Sequence, residues 1–260
     1  MRYGKTTVVV CKDAAELGRR AASDVAAAIR ELHRRQEEIR IVFAAGESQI
    51  TFLDALAAER NVEWGRIVCF NMDDFYDRDM PEEFTCGHQT RKQLYDKVGP
   101  RRNYVVGFNA PDPEKEAKRF ESVLRKEGPI DILCQGIGTS GHLALNEPYD
   151  TKFQDKSWVR VVNLAEQSKI QLRDDPNFKA LGYIPSKGIT MTIPFLISAK
   201  RVYTMVPLGL KRPILERLFA LQQPSEALPA SILLQVEGTL YMDRDSCPAH
   251  LLDPERDSKE

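Results

Sequence analysis

The sequence predicts an α/β fold built on a doubly wound, mostly parallel sheet with helices on both faces. Short runs rich in Val and Ile alternate with segments whose apolar residues recur at helical spacing, and this alternation is typical of a parallel sheet with crossover helices. The β-rich runs contain few internal polar residues, which indicates strands buried on both faces. No convincing linker interrupts the 260 residues. We therefore predict one domain over residues 1–252 and a polar tail at 253–260.

The individual elements follow from local patterns. Thr6 to Cys11 is predicted as the first strand. Asp13 then occupies an N-cap position with Glu16 at the capping-box position, so a helix is expected to start there. Further strands are predicted at 39–46, 66–73, 130–135, 157–164, 201–207 and 238–243, and further helices at 48–60, 88–98, 112–128 and 211–222. The third of these helices is expected to end at Gly128, because glycine favours helix C-termini.

Charge and composition restrict the class of protein. The net charge is −1, so no overall field favours nucleic acid or an anionic membrane as a partner. The chain contains no apolar run of 18 or more residues, and the run at Val8 to Cys11 is too short for the core of a signal peptide. Five cysteines without CxxC spacing indicate reduced thiols. We therefore expect a cytoplasmic protein.

Ligands of open α/β sheets bind at the carboxyl ends of the strands, and three strand ends stand out here. At the first, the strand at 39–46 turns through Ala45, Gly46, Glu47 and Ser48 into a helix. Backbone N–H groups at a helix N-terminus can bind an anion. The alternative is an ordinary strand-to-helix turn without a ligand.

The other two strand ends carry titratable side chains. Asp73 and Asp74 follow an apolar strand, where they could be acid–base groups, or else a helix cap or a solvated loop. The third end is GIGTSGHLALNEP, Gly136 to Pro148, which places His142 and Glu147 five residues apart after a glycine-rich turn. A single histidine is often structural, but this one stands at a strand end.

Taken together, the MDD segment at 72–74 and the GIGxxGHLALNEP run resemble the glucosamine-6-phosphate deaminase (isomerase) family. The order and spacing of these motifs match, and the resemblance extends from about residue 14 to about residue 240. It implies a Rossmann-like sheet with additional strands. It also implies a reaction that opens a sugar ring, isomerises an aldose amine towards a ketose and releases ammonia, with no metal or redox cofactor.

The resemblance also implies roles for individual residues. Asp73 would move a proton between C2 and C1 of the substrate. His142 would assist ring opening, and Glu147 would orient His142 and stabilise its charged form. The substrate- and phosphate-binding positions correspond here to Ala45, Gly46, Glu47, Ser48, Asp74, Gly138, Ser140, Gly141, Lys169 and Lys211.

The sequence departs from the family pattern at three of these positions. Ser140 stands where the family has an acid, so it cannot offer a negative charge to an imidazolium. Glu47 occupies a position that is usually small, and two like charges 4 Å apart repel by about 4 kcal/mol at an effective dielectric constant near 20. Either Glu47 points outward, where an acid suits the helix dipole, or the substrate is altered. Asp74 replaces a glutamate, which keeps the charge.

Two alternative functions remain open from the sequence. A 6-phosphogluconolactonase-like hydrolase shares the fold and the glycine-rich run, but its run after the histidine usually continues towards SLFP, whereas this chain has Asn146-Glu147-Pro148. A non-catalytic or altered-substrate sugar-phosphate binder is the other alternative, suggested by Ser140 and Glu47. In each case the expected partner is a small sugar phosphate, and the sequence leaves homo-oligomerisation undecided.

Overall fold

A central sheet of eight strands organises the molecule. The computed structural model describes residues 1–148, 150–174 and 176–252, so the predicted polar tail at 253–260 lies outside the described residues. The strands are β1 (Arg2–Tyr3), β2 (Thr6–Cys11), β3 (Ile39–Phe43), β4 (Ile67–Asn71), β5 (Asp73–Tyr76), β6 (Arg102–Tyr104), β7 (Ile132–Gln135), β8 (Val159–Asn163), β9 (Lys187–Met191), β10 (Arg201–Val206) and β11 (Gly238–Asp243). The order in the large sheet is β1-β2-β11-β10-β7-β3-β4-β6, and all neighbours are parallel except β1 with β2.

Helices pack on both faces of this sheet. They are α1 (Ala14–His33), α2 (Ile50–Ala58), α3 (Cys86–Thr90), α4 (Asp96–Val98), α5 (Pro113–Glu127), α6 (Glu166–Asp174), α7 (Pro176–Leu181), α8 (Ile193–Leu196) and α9 (Arg212–Ala220). A π-helical turn at Arg91–Tyr95 joins α3 to α4. None of the helices within the described ranges has both the length and the apolar content that crossing a bilayer requires.

Alternate strand residues enter two separate cores. On one face, Ile41 and Phe43 of β3 pack in a cluster that contains the buried residues of α1 and α2. On the other face, Val42 of β3 packs in a cluster that contains the buried residues of α5 and α9. Successive strand side chains point to opposite faces, so apolar residues at consecutive positions require cover on both sides. The predicted doubly wound, mostly parallel fold is confirmed.

A second, three-stranded antiparallel sheet was not predicted from the sequence. Its order is β5-β9-β8. The chain leaves the large sheet after β4, where the Met72 carbonyl accepts a hydrogen bond from Met191 N at 2.8 Å. Asp73 then pairs with Thr190. The predicted strand at 66–73 is therefore two strands in different sheets, with the break at Met72.

Local capping follows the sequence closely. The Asp13 carboxylate accepts from Glu16 N at 2.8 Å, as predicted, whereas the Glu16 carboxylate accepts from Lys12 N, one residue earlier than in a regular capping box. Gly128 ends α5 with a φ of 95°. The helix predicted to start at 48 begins instead at Ile50, after a 3-10 turn at Glu47–Gln49.

The order of the strands reverses between β3 and β7. These two strands are neighbours, but the chain continues from β3 to β4 on one side and from β7 towards β10 on the other. Their carboxyl ends, at Phe43 and Gln135, therefore border a crevice of the kind in which open α/β sheets bind ligands. This is the location at which the sequence placed the first and third unusual strand ends.

Candidate active site

The three predicted strand ends lie side by side. Ala44 N donates to the carbonyl of Cys134 at 2.9 Å, and Met72 N donates to the carbonyl of Phe43 at 3.2 Å. A methyl group added to Gly136 would lie 3.3 Å from Ser48 Oγ, so the glycine-rich run touches the turn after β3. Parallel neighbouring strands thus bring the turn at 45–48, the Asp73 pair and the His142 run to one edge of the sheet.

His142 forms a hydrogen-bonded cluster with two neighbours in the chain. Its Nδ1 lies 3.2 Å from Glu147 Oε2 and 2.8 Å from Ser140 Oγ, and the Ser140 hydroxyl donates to the same carboxylate oxygen at 2.8 Å. Glu147 is 1% exposed. Burial alone would raise its pKa, but the hydrogen bond and charge of His142, with serine hydroxyls, lower the pKa to about 2. Glu147 is therefore an anion held against the ring.

The opposite side of the imidazole lies against Gly138. A Cβ at this position would be 1.9 Å from His142 Nε2, so any larger residue would displace the ring. Gly141 adopts a φ of 90°, which lets the chain turn back and set the histidine over the loop. The glycines of the run are thus required by close approach and by backbone conformation.

The NEP segment is fixed to the second sheet. Asn146 Nδ2 donates to the carbonyls of Leu143 and Met191, at 2.9 and 2.8 Å. Leu145 N donates to Thr190 Oγ1 at 3.1 Å. Asn146 is therefore a structural residue that anchors Glu147 beside β9.

Asp73 and Asp74 open β5 but have different surroundings. Asp74 accepts from the backbone N–H groups of Phe75, Cys86 and Gly87 at 2.8 to 2.9 Å, so it caps α3 as the helix-cap alternative proposed. Its burial nevertheless raises its pKa to about 7. Asp73 is 8% exposed, and among the described residues no donor binds its carboxylate. Burial and then the Asp74 charge raise the pKa of Asp73 to about 8.

The turn after β3 leads through Gly46 into a 3-10 turn at Glu47–Gln49. Gly46 has a φ of 102°, and Gly46 N donates to Gln89 Oε1 at 2.9 Å. Glu47 is exposed, whereas Ala45 and Ser48 are partly buried. Gln89 was not predicted from the sequence, because its contact with this turn exists only once α3 packs beside it.

Lys211 lies at the entry to α9, after a 3-10 turn at Gly209–Lys211. Its side chain is 6% exposed, and its ammonium makes no ion pair with the described residues. Burial lowers its pKa to about 8, while the charge of Glu47 acts in the opposite direction. Glu47 is therefore exposed to solvent yet close enough to Lys211 to affect its charge.

Lys169 occupies a different setting. It lies on α6, where its Nζ is 2.7 Å from Glu166 Oε1. Together with Arg173 and Phe178 it lines an open cleft of about 510 Å³. Its predicted phosphate contact remains a prediction.

Ser168, on the same helix, was not singled out from the sequence. Its Oγ lies 3.3 Å from His142 Nδ1. A serine in a polar helix carries no signature of its own, and only the packing of α6 over the site brings it there.

Comparisons with known proteins identify the family. The family described as glucosamine-6-phosphate isomerases/6-phosphogluconolactonase matches residues 12–242. The chain is 29% identical over 244 residues to glucosamine-6-phosphate deaminase 1 of Bacillus subtilis, covering 92% of this chain and 97% of the relative. It is 28% identical over 221 residues to the glucosamine-6-phosphate deaminase of Mycoplasmopsis pulmonis, covering 82% and 84%.

Solved structures show the same fold. A monomeric glucosamine-6-phosphate deaminase superposes with a TM-score of 0.79 at 25% identity, covering 93% of this chain and 98% of that one. The 6-phosphogluconolactonase of Thermotoga maritima superposes with a TM-score of 0.72 at 17% identity, covering 92% and 99%. The sequence motifs, the sheet and the family match agree, and this chain belongs to the family of glucosamine-6-phosphate isomerases and 6-phosphogluconolactonases.

Proposed function

We propose that this protein is an aldose–ketose isomerase that converts an amino-sugar 6-phosphate, with glucosamine 6-phosphate as the expected substrate, into the ketose phosphate and ammonia. The observation that carries the proposal is a pair of separate acid–base groups at one sheet edge. One is His142 bound to the buried anion Glu147, and the other is Asp73, whose pKa is raised to about 8. Ring opening and carbon-to-carbon proton transfer each require such a group.

His142 suits the ring-opening step. Its Nδ1 side is occupied by Glu147 and Ser140, so Nε2 is the nitrogen available to a substrate. Nε2 would take the proton of the anomeric hydroxyl and return it to the ring oxygen as the ring opens. The Glu147 anion stabilises the imidazolium formed in between, as a carboxylate does in other catalytic triads.

Asp73 suits the isomerisation step. As a carboxylate it would remove the proton from C2, and the resulting acid would return it at C1, which leaves an imine at C2. Addition of a water molecule from solvent to this imine, followed by cleavage of the C2–N bond, gives the ketose and ammonia. Burial places its pKa near the working pH, which is the condition under which a general base is both partly ionised and strong. Asp74, tied to three backbone N–H groups, would hold Asp73 in place.

Lys211 and the turn at 45–48 are proposed to bind the phosphate. An ammonium that is 6% exposed and lacks an ion-pair partner among the described residues is costly unless an anion completes it. The N-terminus of the helix after Gly46 offers backbone N–H groups. Lys169 would approach the phosphate from α6.

The test is the release of ammonia and fructose 6-phosphate from glucosamine 6-phosphate by the purified protein, measured in the same reaction. Equal amounts of both products support the proposal, and absence of both refutes it for this substrate. Asp73→Asn is expected to abolish turnover while the variant still binds the sugar phosphate. Full turnover by Asp73→Asn would contradict the assignment of the base.

Lactone hydrolysis is the second candidate, since His142 with Glu147 could also activate a water molecule and the family includes lactonases. Hydrolysis of 6-phosphogluconolactone forms no carbanion and needs no base between C2 and C1. Asp73→Asn would therefore spare a lactonase, and the two functions can be separated with one variant.

A cytoplasmic location is part of the proposal. All five cysteines are free thiols, four of them buried, which suits a reducing compartment. The isomerase would act there on sugar phosphates as a monomer or as a homo-oligomer, and sedimentation velocity would distinguish the two.

A further inference from the structure

Ser168 contacts the catalytic histidine from a separate element. Its hydroxyl lies 3.3 Å from His142 Nδ1, and the side chain is 6% exposed. The residue is carried by α6, which follows β8 and has no part in the glycine-rich run. We infer that Ser168 is a positioning residue for His142, acting on the Nδ1 side of the ring so that Nε2 faces the substrate. This inference rests on the proposed function.

The hydrogen-bond capacity around Nδ1 supports the inference. Three oxygens lie within 3.3 Å of this nitrogen, from Ser140, Glu147 and Ser168. A neutral imidazole carries one ring hydrogen. The Ser140 hydrogen is directed to Glu147 Oε2, so the Ser140 oxygen faces Nδ1 as an acceptor. Such surroundings favour the tautomer with hydrogen on Nδ1, and the lone pair then lies on Nε2.

Ser168 also affects the Glu147 carboxylate. The Ser168 hydroxyl is among the groups that lower the pKa of Glu147, so it stabilises the ionised carboxylate. Glu147 Oε1 is buried and makes no hydrogen bond in the described part of the chain. Ser168 thus interacts with both members of the pair, and its loss would affect ring orientation and carboxylate charge together.

Apolar packing positions α6 so that Ser168 contacts His142. Leu145, which lies between His142 and Glu147 in the chain, packs with Val162 and Leu164 of the segment that leads into α6, and Leu172 of α6 packs against the same cluster. The neighbouring Glu166 and Ile170 are exposed. This packing holds the buried Ser168 against His142, whereas its exposed neighbours point away from the ring.

The experiment compares Ser168→Ala and Ser168→Thr with Ile170→Ala, an exposed change on the same helix. We expect Ser168→Ala to lower kcat for ammonia release about tenfold with KM unchanged within twofold, and Ser168→Thr to restore kcat to within twofold of wild type. Ile170→Ala should match wild type. Binding of the open-chain 2-amino-2-deoxyglucitol 6-phosphate, which needs no ring opening, should be unchanged in all variants.

A second measurement does not depend on activity. Nitrogen-15 NMR of the imidazole rings, with His142 assigned by His142→Gln, reports the tautomer. We expect the Nδ1–H form in wild type and in Ser168→Thr, and a mixture of tautomers in Ser168→Ala. Equal tautomers in wild type and Ser168→Ala, or a rise in KM without a fall in kcat, would overturn the inference. If wild type releases no ammonia, the proposed function fails while the NMR comparison still decides the role of Ser168.

Discussion

Replacement of Glu147 by Gln tests whether the anion beside His142 stabilises the fold. A fall of the Glu147 pKa from 4.5 to about 2 corresponds to about 3 kcal/mol of folding stability at neutral pH, since one pH unit is about 1.4 kcal/mol. A glutamine keeps the volume but not the charge, so we expect Glu147→Gln to lower the free energy of unfolding by about 3 kcal/mol at pH 7. Urea denaturation at equilibrium measures this difference.

The dependence on pH identifies the cause. Because the folded-state pKa is below the unfolded-state value, the stabilisation is complete above about 4.5 and is lost as the pH falls towards 2. The gap between wild type and Glu147→Gln should therefore shrink to about half of its neutral value at pH 3. Glu166→Gln, at a carboxylate with an exposed side chain, serves as the control and should leave stability unchanged. A gap below about 1 kcal/mol at pH 7, or one that stays constant to pH 3, would refute the reasoning.

Three further predictions address the ring, the buried carboxylate of Asp243 and the working pH. Gly138→Ala places a carbon 1.9 Å from His142 Nε2, so kcat/KM should fall on the order of 100-fold. Gly65→Ala, where a Cβ meets nothing within 4 Å, should be silent in the same assay. Asp243→Ala removes the acceptors for Leu208 N and Ser246 N, so the free energy of unfolding in urea should fall by about 3 kcal/mol. Asp245→Ala, at an exposed neighbour, is the control and should leave the free energy of unfolding unchanged. Equal losses in the two variants would contradict this reasoning. With rising pH, kcat/KM should increase as Asp73 ionises near pH 8 and decrease as Lys211 loses its proton near pH 8. Lys211→Arg should remove only the decrease at alkaline pH, because arginine stays charged.

The parallel sheet was predictable from the sequence because strands buried on both faces consist of consecutive apolar residues. Ile41, Val42 and Phe43 are consecutive apolar residues, and each contributes to a core. The second sheet has no comparable pattern of consecutive apolar residues at β5. Asp73 and Asp74 read as the end of a strand, and only the antiparallel pairing with Thr190 and Ile189 shows that a new strand begins there.

The site was predictable to the extent that it follows from contiguous motifs. His142 and Glu147 are five residues apart, and a glycine-rich turn lets them meet. Gln89 and Ser168 were missed because their contacts join segments 43 and 26 residues apart, and a separation of that kind is determined by tertiary packing. The role of Ser140 changes in the same way: as a sequence departure it is a lost charge, whereas in the fold its hydroxyl bridges His142 and Glu147.

The hydrogen bond from Gly46 N to Gln89 Oε1 has a consequence for the kinetics of binding. At the proposed phosphate site, an incoming anion would compete with this internal amide oxygen for the backbone N–H, so release of Gln89 would reduce the net binding free energy. As the product leaves, the Gln89 amide oxygen would accept from Gly46 N again, which would lower the barrier to release. At the proposed phosphate site, this bond would lower affinity and shorten the residence time of the phosphorylated product.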